Sequence, residues 1–245
     1  TISIPYNSMK VGLFANHQAP KDDDARELID GTFRMIKTAE EVGFDHVSTG
    51  QHFLSDFTQP QLFPYLARVT GEVNSIDLST GVALLPLQHP VDIAERIATI
   101  SQMHDGGTVL GVGAGYRDVE FDSFGVPKAE RGQRLEEGVQ LINRLLTEEN
   151  VTFEGEIYSV EDVTLSIQPA EDIPIWIAAN SDAAVRRAAR LSDGWFVNPH
   201  STLTEVEEQK TNVYDPVRNE HGEPTSVPVF RECFVAPTTE EAIEV

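Results

Sequence analysis

Apolar and polar positions along the chain switch between two periods. Short apolar or alternating runs of strand type recur at 9–16 (MKVGLFAN), 45–50 (DHVSTG), 76–87 (IDLSTGVALLPL), 108–115 (TVLGVGAG), 173–180 (IPIWIAAN), 194–199 (GWFVNP) and 227–237 (VPVFRECFVAP). Between them lie longer runs with apolar residues three or four apart, the period of an amphipathic helix. In 24–43 these are Leu28, Ile29, Phe33, Ile36 and Ala39, and Gly43 supplies the stop. Further helices are predicted over 64–74 and 90–106, with Pro64 and Pro90 in their first turns, and over 129–150, 181–193, 202–222 and 238–245. The stretch 151–167 alternates like a hairpin and reads as an excursion. Strands joined by helices demand a parallel sheet. Seven such units, the seventh cut short, favour a closed (β/α)8 TIM barrel over an open doubly wound sheet. The eighth unit is absent from the sequence, so the expectation is one barrel domain over 1–245, incomplete at its C-terminal end.

In such a barrel the chemistry sits at the C-terminal ends of the strands. That directs attention to Asn16, to Gly50, Gln51 and His52, to Leu85 and Pro86, to Gly113 through Tyr116, to Ala178 through Ser181, and to Asn198. The alternate glycines Gly111, Gly113 and Gly115 suggest a dinucleotide-binding loop, but the third comes one residue too early for G-x-G-x-x-G. Gly125 and Pro127 argue against an immediate helix, and the next clear one begins near Ala129. The expectation is instead a glycine-rich strand end that a flat molecule can approach closely.

Charge narrows the partners. Forty carboxylates against 18 Lys and Arg leave a formal net charge of −22, which repels nucleic acid over most of the surface. Five lysines against thirteen arginines, with abundant Asp and Glu, resemble the composition of proteins adapted to molar salt. One cysteine, Cys233, excludes an intrachain disulfide and a cysteine zinc cluster, and the histidines show no metal-ligand spacing, so no metal is expected. No apolar run approaches membrane-spanning length. The first residues, TISIPYNSMKVGLF, lack a basic start and a long apolar core, so a cytoplasmic protein is expected.

Four stretches together resemble the luciferase-like monooxygenase superfamily, which holds bacterial luciferase and its flavin- and coenzyme F420-dependent relatives. They are 39–53 (AEEVGFDHVSTGQHF), 78–142, 153–163 (FEGEIYSVEDV) and 174–196 (PIWIAANSDAAVRRAARLSDGWF). The resemblance implies a TIM-barrel oxidoreductase that binds F420 or FMN at Asn16, Gly81, Val82, Gly113, Ala114, Gly115, Ala178, Ala179, Asn180 and Ser181. Gly81–Val82 matches the family's cis peptide beneath the cofactor ring. Ser181 or Asp182 would cap a helix whose first amides attract the cofactor phosphate. His52, in GQHF, matches the catalytic histidine of the deazaflavin-dependent relatives; Gln51 stands where luciferase has its own.

Two positions depart from the pattern. Ala114 replaces the arginine with which luciferase holds the flavin phosphate, and Tyr116 replaces the acidic glutamate of a deazaflavin glucose-phosphate dehydrogenase. Glu120 and Arg131 are expected to form a structural ion pair, and His89 to cap a helix. With F420 the implied reaction is hydride transfer; with reduced FMN it is monooxygenation using molecular oxygen. The alternative is a non-catalytic flavin-binding or subunit protein of the same fold. A small-molecule substrate and a homo-oligomer complete the expectation.

Overall fold

The computed structural model describes residues 9–221 and 226–243; the N-terminal reading of Thr1 to Ser8 and the ends of two predicted helices lie outside them. Strands β1 (Gly12–Phe14) and β2 (Ala19–Pro20) precede helix α1 (Ala25–Glu41), and β3 (His46–Thr49) and β4 (Phe57–Thr58) precede α2 (Leu62–Val69). Next come β5 (Asp77–Thr80), β6 (Ala83–Leu84), a 3-10 turn at Leu85–Leu87 and α3 (Pro90–Gln102). Strand β7 (Thr108–Gly113) leads to α4 (Asp118–Phe124) and α5 (Arg131–Thr147), followed by the hairpin β8 (Val151–Glu154) and β9 (Ser159–Val163). Then β10 (Ile175–Ala179), α6 (Asp182–Leu191) and β11 (Gly194–Val197) lead into α7 (Leu203–Gln209), a π-helical segment at Lys210–Tyr214 and α8 (Asp215–His221). Helix α9 (Thr239–Ile243) follows.

The main sheet is parallel, in the order β1-β3-β5-β7-β10-β11, with β6 beside β7. Short antiparallel ribbons β2–β4 and β8–β9 lie outside it. Helices cover the parallel strands, so β7 is buried at all six positions, as a parallel strand requires. Ile36, Leu66, Ile97, Leu110, Ile142 and Ile177 bring helices and strands into one apolar core. The sheet curls, and the Phe14 ring at one edge stacks on Phe230 beyond the other, with centroids 4.4 Å apart. The molecule is thus an α/β fold around a curled parallel sheet.

The helix starts follow their sequence signals. Asp24 accepts from the Arg26 and Glu27 amides at the start of α1, and His89 Nδ1 accepts from the Val91 amide ahead of Pro90 in α3. Three sequence expectations are corrected. The run 76–87 is not one strand, because it breaks at the cis Gly81–Val82 peptide. Residues 227–237 form no regular strand; Ser226 and Val229 make single parallel bridges to Gly194 and Val197. A helix, α4, does follow the glycine run directly, because Gly125 caps it in the left-handed conformation (φ 65°) rather than preventing it.

One histidine in the sheet carries a pH signature. Half-buried His46 places Nε2 2.7 Å from Ser79 Oγ and stacks on Trp176. Burial pushes its pKa from 6.5 to about 4, against the opposing pull of Asp77. Between these values the unfolded chain holds a proton that the folded chain does not. Stability contributed by neutral His46 is therefore present above the unfolded pKa and is lost as pH falls from 6.5 towards 4, by about 2–3 kcal/mol. Urea midpoints at pH 7 and 4.5 should converge in His46→Gln relative to the parent. An equal acid shift in both proteins would show that His46 is not the group responsible.

Candidate active site

The C-terminal ends of the parallel strands open into a cavity of about 930 Å³, within the size range of cofactor sites. All the strand-end candidates line it except Leu85 and Pro86, which are buried in the 3-10 turn after β6. Asn16 follows β1 and His52 follows β3. Gly81 and Val82 separate β5 from β6. Gly113 ends β7, with Ala114 and Gly115 after it. Ala178 and Ala179 end β10, and Asn180 and Ser181 lead into α6. Parallel topology explains the convergence, since all these strands finish on one side of the sheet.

The glycine run serves packing first. A Cβ on Gly111 would stand 2.0 Å from the Thr80 carbonyl oxygen, and one on Gly113 would stand 2.6 Å from Val82 Cγ2. Gly115 takes a positive φ of 71°. So Gly113 borders the cavity, but its missing side chain makes room for Val82. This revises the expectation that the gap admits a flat ligand.

His52 is held from below. Glu120, on the first turn of α4 and fully buried, accepts from the Phe53 amide at 2.9 Å and lies 3.1 Å from His52 Nδ1, both through Oε1. Arg117 Nη1 lies 3.7 Å from the same oxygen and donates to the Phe53 carbonyl at 3.1 Å. Glu120 Oε2 is buried without a partner among the described residues. The rings of Phe57 and Tyr116 stand edge-on to the imidazole. The expected Glu120–Arg131 pair does not form: Glu120 belongs to the His52 loop, while Arg131 lines the cavity with no ion pair among the described residues.

A second polar group was not found from the sequence. His17, buried at the cavity wall, donates from Nδ1 to the Ala15 carbonyl at 3.1 Å and stacks on Tyr65. Burial holds its pKa below the ordinary imidazole value. With Nδ1 protonated, Nε2 accepts from Gln59 Nε2 at 3.4 Å, which turns Gln59 Oε1, without a partner among the described residues, away from the histidine. Gln51, by contrast, is committed to structure, since its Oε1 accepts from the Leu84 amide and from Gln88. No periodicity marks His17 or Gln59, because each lies in a loop between short elements.

The far end of the cavity suits an anion. Ser181 Oγ accepts from the Ala184 amide at 3.4 Å, which leaves the earlier α6 amides facing outward at the positive end of the helix. Lys128, Arg131 and Arg187 add positive charge there. Lys128 is paired with Asp118, and Arg187 shares the single carboxylate of Glu136 with Arg190; Arg131 is the one of the three without an ion pair among the described residues. Among the described residues no cluster of three or more His, Cys, Asp or Glu side chains is placed to hold a metal ion, and no helix is long and apolar enough to cross a membrane.

Comparison with known proteins shows what the chain is similar to. The luciferase-like monooxygenase family profile matches residues 9–245. An F420-dependent glucose-6-phosphate dehydrogenase of Nakamurella multipartita is 38% identical over 174 residues, covering 66% of this chain and 50% of the relative. The chain thus spans about half the length of the curated relatives it matches. The monooxygenase RslO1 of Streptomyces bottropensis superposes with a TM-score of 0.86 at 24% identity, over 96% of this chain and 74% of that one. The oxygenating constituent of 3,6-diketocamphane monooxygenase from Pseudomonas putida, solved with FMN, gives a TM-score of 0.75 at 20% identity, over 89% and 66%. These two likenesses concern the fold.

Proposed function

Because the chain belongs to the luciferase-like monooxygenase family, we propose that it is an F420-dependent oxidoreductase that oxidises or reduces a small hydroxyl- or carbonyl-bearing substrate in the strand-end cavity. Its fold is read as the family's (β/α)8 barrel, of which the curled sheet is the described part. The observation that carries the cofactor choice is Ala114, which lines the cavity where luciferase has the arginine that holds its flavin phosphate. Arg131, without an ion pair among the described residues, and the α6 amides remain to meet the cofactor phosphate. The dehydrogenase relatives support the same choice.

The residues present fit such a group. Gly81, Val82, Gly113, Ala114, Gly115, Ala178 and Ala179 would hold the ring, and Asn16, Asn180, Ser181 and Arg131 its polar tail. When bound, the deazaflavin supplies hydride chemistry, and the protein supplies orientation and proton transfer. His52 is the proton-handling group: Nε2 accepts the hydroxyl proton in the oxidation direction and returns it in reduction. Phe14, Phe196 and Phe230 keep part of the cavity wall apolar. A second reading, monooxygenation with reduced FMN and oxygen, is favoured by Tyr116 standing where the dehydrogenase pattern has a glutamate.

Fluorescence quenching separates the two readings. F420 should be quenched at micromolar protein with FMN bound more weakly, and Arg131→Ala should weaken F420 binding about tenfold or more. Tight FMN binding without F420 binding would reverse the choice. Glucose 6-phosphate and a series of secondary alcohols, tested for F420 reduction, would then identify the hydroxyl donor.

A further inference from the structure

The carboxylate under His52 has a chemical consequence. An ionised carboxylate only accepts hydrogen bonds, so a neutral His52 bonded to Glu120 Oε1 through Nδ1 at 3.1 Å must carry its proton on Nδ1. Its lone pair is then on Nε2. The same oxygen is fixed by the Phe53 amide, in the residue next to His52, at 2.9 Å, so acceptor and imidazole are held in one frame. The clamp between α4 and this loop has an independent member, the Arg117 bond to the Phe53 carbonyl at 3.1 Å. The edge-on rings of Phe57 and Tyr116 limit rotation of the imidazole, so proton position and ring position are set together.

We propose that Glu120 is the positioning residue of the site: it selects the Nδ1–H tautomer of His52 and so presents Nε2 to the cavity as a proton acceptor. The proton-handling use of Nε2 rests on the function proposed above; the tautomer does not. Without an acceptor at Nδ1, the two neutral forms lie close in free energy, and a share of the molecules would show a protonated Nε2 that cannot take a proton from a substrate. Carboxylates that orient a histidine through its second nitrogen act this way at many sites.

The test is nitrogen NMR of the unliganded protein labelled with 15N-histidine, at a pH where imidazoles are neutral. His52 signals are assigned by their loss in His52→Gln. In the parent, Nδ1 should show the protonated and Nε2 the unprotonated shift. Glu120→Met, which keeps the bulk but offers no oxygen, should abolish the preference. Glu120→Gln keeps a weaker, neutral acceptor and should lower the tautomer ratio about fivefold, the difference between charged and neutral hydrogen bonds. If Glu120→Met does not fold, Glu120→Gln decides alone. An unchanged Nδ1–H population in the folded variants, or a parent already in the Nε2–H form, would overturn the proposal. Because no cofactor is present in the sample, failure of F420 binding would leave this result standing, and the reverse also holds.

Discussion

Substituting His52 with alanine is expected to lower turnover by about 10²- to 10⁴-fold, the usual loss when a general acid or base is removed. Cofactor affinity should stay nearly constant, since the anion end of the cavity is built from α6 and Arg131 and not from the β3 loop. His52 is the right residue to probe because its ring borders the cavity while Glu120 holds it from the protein side. The measurement is a kcat for F420 reduction with the hydroxyl donor identified by the substrate series, alongside a fluorescence Kd. A kcat equal to that of the parent would assign His52 to packing. A matched loss of affinity and rate would instead mean that it holds the cofactor.

Gly111→Ala should be the most damaging alanine substitution among the described glycines. The added carbon would stand 2.0 Å from the Thr80 carbonyl oxygen, and backbone cannot rotate away as a side chain can. The two strands are also tied by Thr80 Oγ1 donating to the Gly111 carbonyl at 2.6 Å. Relief requires β5 and β7 to separate in the middle of the sheet, at an expected cost of about 3 kcal/mol or more. Gly125→Ala is the comparison: it meets no atom within 4 Å and pays only for its left-handed φ, about 1 kcal/mol. Chemical denaturation of the two variants against the parent gives the ranking. Equal midpoints would show that the sheet gives way more easily than its geometry indicates.

What was readable in the sequence follows from what local patterns encode. Alternation of two periods located every strand of the main sheet, and parallel topology then gathered Asn16, His52, Gly113 and Ser181 at one mouth. Neither step needs tertiary detail. The partners of the site residues were a different matter. His52 and Glu120 are 68 positions apart, and nothing local distinguishes a glutamate that turns inward beneath a histidine from one that meets an arginine. Arg131, eleven positions beyond Glu120, offered a plausible pair on charge alone; burial of Glu120 under the β3 loop decided otherwise. Gly125 and Pro127 argue against a helix by residue type alone, whereas Gly125 ends one. The strand expected over 227–237 had the right composition, but among the described residues it meets β11 through single bridges at Ser226 and Val229, with the Ser226 and Pro228 carbonyls accepting from the Trp195 and Val197 amides. His17 and Gln59 carried no signal because isolated loop residues have no period to break.

The stacking of Phe14 on Phe230 has a consequence for how the protein is made. One ring comes from the first of the described strands and the other from a segment that follows every strand of the main sheet. Both rings border the cavity. The cavity wall is therefore a contact of very high sequence separation, the kind whose loop-closure entropy must be met before it contributes stability. A nascent chain can assemble β1, β3, β5 and β7 with their helices while the mouth still gapes along one side. Binding competence therefore waits on a residue that follows the whole main sheet, and a ligand that seals the mouth acts on a late step of folding.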